Sequence, residues 1–231
     1  MADITISGPD GSFGGYLALP RGRDRGPGIL VIQEIFGVNQ VMRALCDGFA
    51  AEGYVALCPD LFWRQEPGIQ LTDKSEAEWG RAFQLYQGFN EAKGVDDLIL
   101  ALDHLRARKE CAGKVGSVGY CLGGKLAYLM ATRSNADANV GYYGVGIEKA
   151  LNEAAAITRP LMLHIAGKDQ FCPPEAQDQI KTALSRNSHV TLHGYPDCDH
   201  AFARVGGAHY DESAATLANR RTAEFFRKHL A

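Results

Sequence analysis

Lys114-Val115-Gly116-Ser117-Val118-Gly119-Tyr120-Cys121-Leu122-Gly123-Gly124, running on into Lys125-Leu126-Ala127-Tyr128-Leu129-Met130, is the stretch on which the reading of this chain turns. Lys114–Val118 reads as a short strand and Lys125–Thr132 as a helix, with a turn of small residues between them. Gly119-x-Cys121-x-Gly123 is the pattern of a nucleophile carried on a sharp strand-to-helix turn. Larger side chains at the flanking glycines would collide with the neighbouring strand or helix. The turn places Cys121 at a helix N-terminus, where the N–H of Leu122 can donate to a developing oxyanion and the helix dipole favours a thiolate. A free cysteine ordinarily serves as a small buried hydrophobe. The strand–turn–helix setting is what sets Cys121 apart.

The same alternation runs outward in both directions. Gly28–Gln33, Tyr54–Leu57, Val140–Tyr143, Leu161–Ala166 and Val190–Leu192 read as further strands, several of them nearly continuous apolar runs of the kind found in parallel strands. Helical period appears over Val41–Glu52, Ser75–Phe89, Val95–Arg108, Pro174–Leu184 and Ala214–His229. Repeated strand–helix units predict an α/β protein: a doubly wound, mostly parallel sheet with helices on both faces. The glycine-rich opening, Asp10–Tyr16, reads as a hairpin turn feeding an antiparallel edge, and Phe62–Thr72 as a long surface loop. With no internal repeat and no low-complexity linker, residues 1–231 are expected to form one domain. Ligands in such sheets bind outside the carboxyl ends of the strands, so functional residues are sought there.

Composition narrows the function classes. A net charge of −3 with no basic cluster argues against a nucleic-acid partner. No apolar run is long enough to span a bilayer, and the opening residues lack a secretory signal, so no membrane partner and a cytoplasmic location are expected. Six scattered cysteines without a Cys-x-x-Cys pair read as reduced thiols and not as a disulfide framework or a zinc site. No metal and no cofactor are expected, and a monomer is the default state.

A nucleophile on such a turn is followed along the chain by an acid and then a histidine. Asp169 comes directly after the strand Leu161–Ala166, at a carboxyl end, whereas Asp178, Asp197 and Asp199 are less well placed. Of the seven histidines, His200 and His209 lie in the loop between the last strand and the last helix, where the base belongs. Pattern alone leaves both, with His200 nearer the strand end. The base would activate the thiol and then the attacking water, while Asp169 would fix its tautomer.

The chain resembles the dienelactone hydrolases (carboxymethylenebutenolidases) over nearly its whole length. The likeness is carried by Gln33-Glu34-Ile35-Phe36-Gly37-Val38-Asn39, Gly53-Tyr54, Cys58-Pro59-Asp60-Leu61, Gly119 to Gly124, Gly141-Tyr142-Tyr143-Gly144-Val145-Gly146, Gly167-Lys168-Asp169 and His200-Ala201-Phe202-Ala203-Arg204. The resemblance implies the α/β-hydrolase fold and a Cys–His–Asp triad on Cys121, His200 and Asp169, which separates His200 from His209. It implies a substrate that is a small lactone or ester bearing a carboxylate: dienelactone, opened to maleylacetate during (chloro)aromatic degradation.

It also gives Glu34 a role. Glu34 follows the strand Gly28–Gln33 in the loop that supplies a second oxyanion N–H, from Ile35, to stand with that of Leu122. A carboxylate near Cys121 opposes ionisation of its thiol, so Glu34 is expected to keep the resting thiol neutral until an anionic substrate disturbs it. Arg204 matches the family's substrate-binding arginine. The family's second arginine falls on Trp79; Arg81, two residues on and pointing to a different helix face, is the candidate second ligand of the substrate carboxylate, against a solvated helix charge. Phe83 stands where tyrosine is common and Ala201 where serine is often found, which leaves the lactone isomer preference open. Tyr142 and Tyr143 either wall the pocket or pack the core.

Four rival readings have distinct signatures. Glutamine amidotransferases share the cysteine turn but carry a glutamate two residues after the histidine, where this chain has Phe202. A thiol redox or sensor protein would use Cys172 or Cys198 as resolving thiol to Cys121. A general small-ester or lactone hydrolase would keep the triad and differ in specificity. A pure binding protein on the same scaffold has no need of an ordered Cys, Asp and His.

Overall fold

The computed structural model describes residues 2–230. The chain divides into two compact units, Met1–Val115 and Gly116–Ala231. In the first, β1 (Ala2–Gly8) and β2 (Gly11–Ala18) form an antiparallel hairpin that closes on the pair Gly8 and Gly11. The turn is therefore Pro9–Asp10. The opening expected to be a turn over Asp10–Tyr16 is for the most part the strand β2, because Phe13, Tyr16, Leu17 and Ala18 bury their side chains. Strand β2 runs antiparallel to β4 (Val55–Pro59), which runs parallel to β3 (Gly26–Ile32), giving the order β1-β2-β4-β3. Ile29–Ile32 and Val55–Cys58 are wholly buried, as parallel strands covered on both faces must be.

Alternation along these strands sends neighbouring side chains to opposite faces. Tyr16 donates through its hydroxyl to Asp47 Oδ1 (2.9 Å) on α1 (Gln40–Ala51). Its register partner Cys58 hydrogen-bonds Cys46 of the same helix. The opposite parity, set by Gly28 and its partner Val55, faces Leu105 of α3 (Glu91–Ala107). Helix α3 starts a turn earlier than its apolar period because Asn90 caps it, accepting from the N–H of Lys93 (3.1 Å). Helix α2 (Glu76–Gln87) starts at the Ser75 cap. Residues 62–72 are irregular, as expected of a loop.

The second unit carries β5 (Cys111–Tyr120, beginning just before the unit boundary), β6 (Asn139–Tyr142), β7 (Leu161–Ala166) and β8 (Val190–Tyr195). They lie in that order, and each adjacent pair is parallel. Helices α4 (Leu122–Arg133) and α6 (Glu212–Leu230) cover opposite faces. Gly141 abuts Gly124 of α4, whereas its neighbour Tyr142 donates its hydroxyl to Asn219 Oδ1 (3.0 Å) of α6. Helix α5 (Pro174–Leu184) follows β7, as expected from its proline start. A 3₁₀ segment, Ile147–Ala156, was not expected; it opens at Gly146, whose φ of 86° is a left-handed conformation. Tyr143 leaves the strand assigned to it, at φ 37°.

Candidate active site

Cys121 sits between β5 and α4 with φ 56° and ψ −116°. Positive φ in a residue with a side chain costs roughly 1–3 kcal/mol and persists only where its surroundings fix it. Here they do. The Cys121 N–H donates to the carbonyl of Tyr142 (3.1 Å), and its own carbonyl accepts from the N–H of Gly124 (2.9 Å) and Lys125 (3.3 Å). The two flanking glycines are steric requirements: a Cβ on Gly119 would overlap the carbonyl of Gly123, and one on Gly124 would overlap that of Tyr142. Leu122 opens α4, among the N–H groups that have no intrahelical acceptor.

Three strand ends converge on one cluster in this unit. Asp169, three residues beyond β7, is 3% exposed and uses both carboxylate oxygens. One accepts from the N–H of Phe171 (2.8 Å) and the other from Nδ1 of His200 (2.7 Å). Because an ionised carboxylate only accepts, Nδ1 is the donor and Nε2 is left for the sulfur. The His200 ring also hydrogen-bonds Cys121. The loop after β8 that carries His200 is held by the His200 N–H to Asp199 Oδ1 (2.6 Å), with Ala201 at φ 62°. His209 takes a different partner, Asp199 (3.4 Å), on the surface. The ring of His200 lies between two aromatic edges, Tyr143 at 5.2 Å and Phe171 at 4.9 Å.

Burial pushes the proton affinity of His200 down, but attraction to the Cys121 sulfur, then the hydrogen bonds it makes to Asp169 and to Cys121, outweigh it. The imidazole is pushed up to about 10. This cluster can therefore hold a proton on the imidazole beside a sulfur nucleophile.

The dienelactone hydrolase family model matches residues 13–230. The chain belongs to that family. A relative from Azospirillum brasilense is 55% identical over 100% of both chains. The carboxymethylenebutenolidase of Pseudomonas putida is 40% identical, covering 96% of this chain and 94% of its own. A solved structure from Klebsiella pneumoniae aligns with TM-score 0.86 at 27% identity over 99% of both chains. The dienelactone hydrolase from Anabaena variabilis, at 19% identity and TM-score 0.73 over 100% of this chain and 98% of its own, supports the fold alone. The protein is thus a carboxymethylenebutenolidase-like hydrolase of ester bonds with the α/β-hydrolase fold.

Other residues marked in the sequence divide into those the family role suits and those otherwise engaged. Glu34 and Ile35 follow the carboxyl end of β3 and are buried, Glu34 to 1% exposed. Arg204, four residues after His200, is also buried, at 8% exposed. Arg81 is exposed on α2, ion-paired with Glu66 and donating to Gln84 Oε1 (3.1 Å). Trp79, at the family's arginine position, stacks on Phe83 (5.5 Å) and meets Phe36 edge-on (5.0 Å). Burial pushes the Cys172 thiol up to about 12, with Asp169 and Glu148 adding to it, and burial likewise raises Cys198. Neither supplies the thiolate that a resolving cysteine needs. Among the described residues, no group of three or more His, Cys, Asp or Glu could hold a metal ion, and no helix is long and apolar enough to cross a membrane. Phe171 carried no signal in the sequence, yet it touches both Asp169 and His200.

In an NMR titration the His200 ring should stay protonated through neutral pH, and Cys121→Ala should bring its titration down by removing the largest attraction. Because its folded value lies above the ordinary 6.5, the contribution of His200 to stability is full below about 6.5 and is lost as pH rises towards about 10. A parent ring titrating near 6.5 would overturn this account.

Proposed function

We propose that this protein opens the ester bond of a small carboxylate-bearing lactone, dienelactone to maleylacetate in (chloro)aromatic degradation, with Cys121 as nucleophile. The observation that carries this reading is the contiguous Cys121–His200–Asp169 arrangement on a left-handed turn. The sulfur attacks the lactone carbonyl, and the oxyanion is met by the N–H groups of Leu122 and Ile35. As the C–O bond breaks, the ring oxygen leaves as an enolate and takes the proton from His200. The resulting thioester is hydrolysed by a water whose proton passes to the now neutral imidazole. The acid departs, the sulfur regains its charge, and the enol becomes the ketone. Asp169 holds the imidazole by Nδ1 throughout.

In this reading residues 1–231 act as a single domain, a monomeric cytoplasmic enzyme that needs no cofactor or metal. Arg204 takes the substrate carboxylate. Arg81 can join it only by exchanging its ion pair with Glu66. Glu34 opposes the charge on Cys121 without abolishing it at rest, a departure from the neutral resting thiol expected from the sequence, because the raised proton affinity of His200 draws on a charged sulfur beside it. A second reading, a hydrolase of other small esters or lactones, draws support from Trp79, which sets an aromatic group where the family has a cation.

Loss of the conjugated absorbance of dienelactone should fall at least about 10³-fold in Cys121→Ala. Retained turnover would sink the cysteine mechanism. Arg204→Ala should raise KM about tenfold or more for the carboxylate-bearing lactone and leave a neutral ester unaffected. Equal losses on both substrates favour the second reading. Glu34→Gln should move the pH profile of Cys121 alkylation by iodoacetamide to lower pH. An unchanged profile removes Glu34 from control of the thiol.

A further inference from the structure

Within the second unit, a cleft of about 520 Å³ lies between α6 and β8. Its floor includes Pro160, Met162 and Thr191, near the amino ends of β7 and β8. Asp169 and His200 follow the carboxyl ends of the same strands, so the cleft is separate from the triad. Arg221, Lys228 and His229 border it from α6, and His189 and His193 from β8 and the residue before it. Glu224 is the acid in this lining.

Arg221 Nη1 donates to the hydroxyl of Tyr195 (3.2 Å), a neutral partner whose own ionisation is opposed by burial. His193 stacks at 5.6 Å on His164, which burial keeps neutral between the hydroxyls of Tyr195 (2.8 Å) and Thr222 (3.0 Å). The proton affinity of His193 is lowered by burial and then by Arg221. An anion in the cleft would offset the repulsion from Arg221.

We infer that this cleft binds a compact, doubly charged oxyanion of the phosphate or sulfate type, held by Arg221, Lys228 and the imidazoles of His189, His193 and His229. Guanidinium and ammonium groups are the usual ligands of such anions, and protonated imidazoles add donors. The titratable and charged groups facing the anion are Arg221, Glu224, Lys228 and His229 from α6, His189 and His193 on the β8 side, and His164 and Tyr195 behind. Binding takes up a proton on His193, whose proton affinity burial and Arg221 otherwise hold down, so affinity rises as pH falls from about 8 to about 6.

Sulfate is the probe, because its charge is constant over that range and any pH dependence belongs to the protein. The full chain is titrated with sodium sulfate at constant ionic strength, balanced with chloride, and histidine ring signals are followed by NMR. The expected result is a saturable shift of the His189, His193 and His229 signals, tighter at the lower pH, with His200 unmoved. Lys228→Gln, at an exposed position, should weaken binding about threefold, and Arg221→Gln with Lys228→Gln at least about tenfold. A shift linear in sulfate, a shift reproduced by chloride, or a midpoint unchanged in Lys228→Gln overturns the assignment. None of these readings involves turnover, so they stand or fall independently of the lactonase reaction.

Discussion

The carbonyl of Tyr142 accepting the N–H of Cys121 is the contact on which the candidate site depends. It ties the nucleophile turn to the end of β6 and holds a conformation that a residue with a side chain otherwise avoids. Two consequences follow from the same few atoms. The turn can pass only if Gly119 and Gly124 lack side chains, since each faces a backbone carbonyl. And β6 must stop at Tyr142, so that Tyr143 swings out, bonds its N–H to the His164 carbonyl (2.8 Å) and presents its ring to His200. Cys121 and His200 are thus both positioned from one strand end, without a direct covalent or sequence neighbour relation between them.

His164 and His200 show what decides the chemistry of a buried imidazole. Both are almost fully buried, and both make a hydrogen bond through each ring nitrogen. Burial disfavours the charged ring in each. His164 has only neutral hydroxyls beside it, with His193 and Arg221 adding repulsion, and its proton affinity falls well below the ordinary value. His200 has a carboxylate on one side and the sulfur on the other, and its affinity rises. Depth in the protein is therefore no guide to which histidine works. The charge of the partners is.

Much of this was legible in the chain, and for identifiable reasons. Asp169 is marked as a candidate because parallel strands present ligand sites at their carboxyl ends, and Leu161–Ala166 is an unambiguous apolar run. Cys121 is marked as a candidate because a strained turn restricts its neighbours to glycine. His200 and His209 are not separable by spacing, since both lie in one loop; the family resemblance points to His200, and the structure gives the two different partners, Asp169 and Asp199. The 3₁₀ segment Ile147–Ala156 is absent from the elements read in the sequence, although Ile147 and Ala150 bury on one face of it. The glycines of β2 looked like a turn because composition speaks of glycine's freedom, while pairing to β4 is a long-range fact.

Phe171 marks the limit of such reading more sharply. Its N–H fixes the outer oxygen of Asp169 and its ring meets His200 edge-on, so one residue restrains both acid and base. An aromatic two residues after an aspartate is unremarked in a sequence, and 37% of Phe171 is exposed, which composition would assign to chance. The restraint arises because the Asp169–Cys172 turn folds back on itself, with the N–H of Cys172 bonded to the Asp169 carbonyl (3.2 Å). A local turn of four residues thereby holds Asp169 and meets His200, which lies on a separate loop. The short segment after β7 and the end of β6, which seats Cys121 and Tyr143, restrain the cluster from two sides, and the histidine loop adds its own bond from the His200 N–H to Asp199 Oδ1.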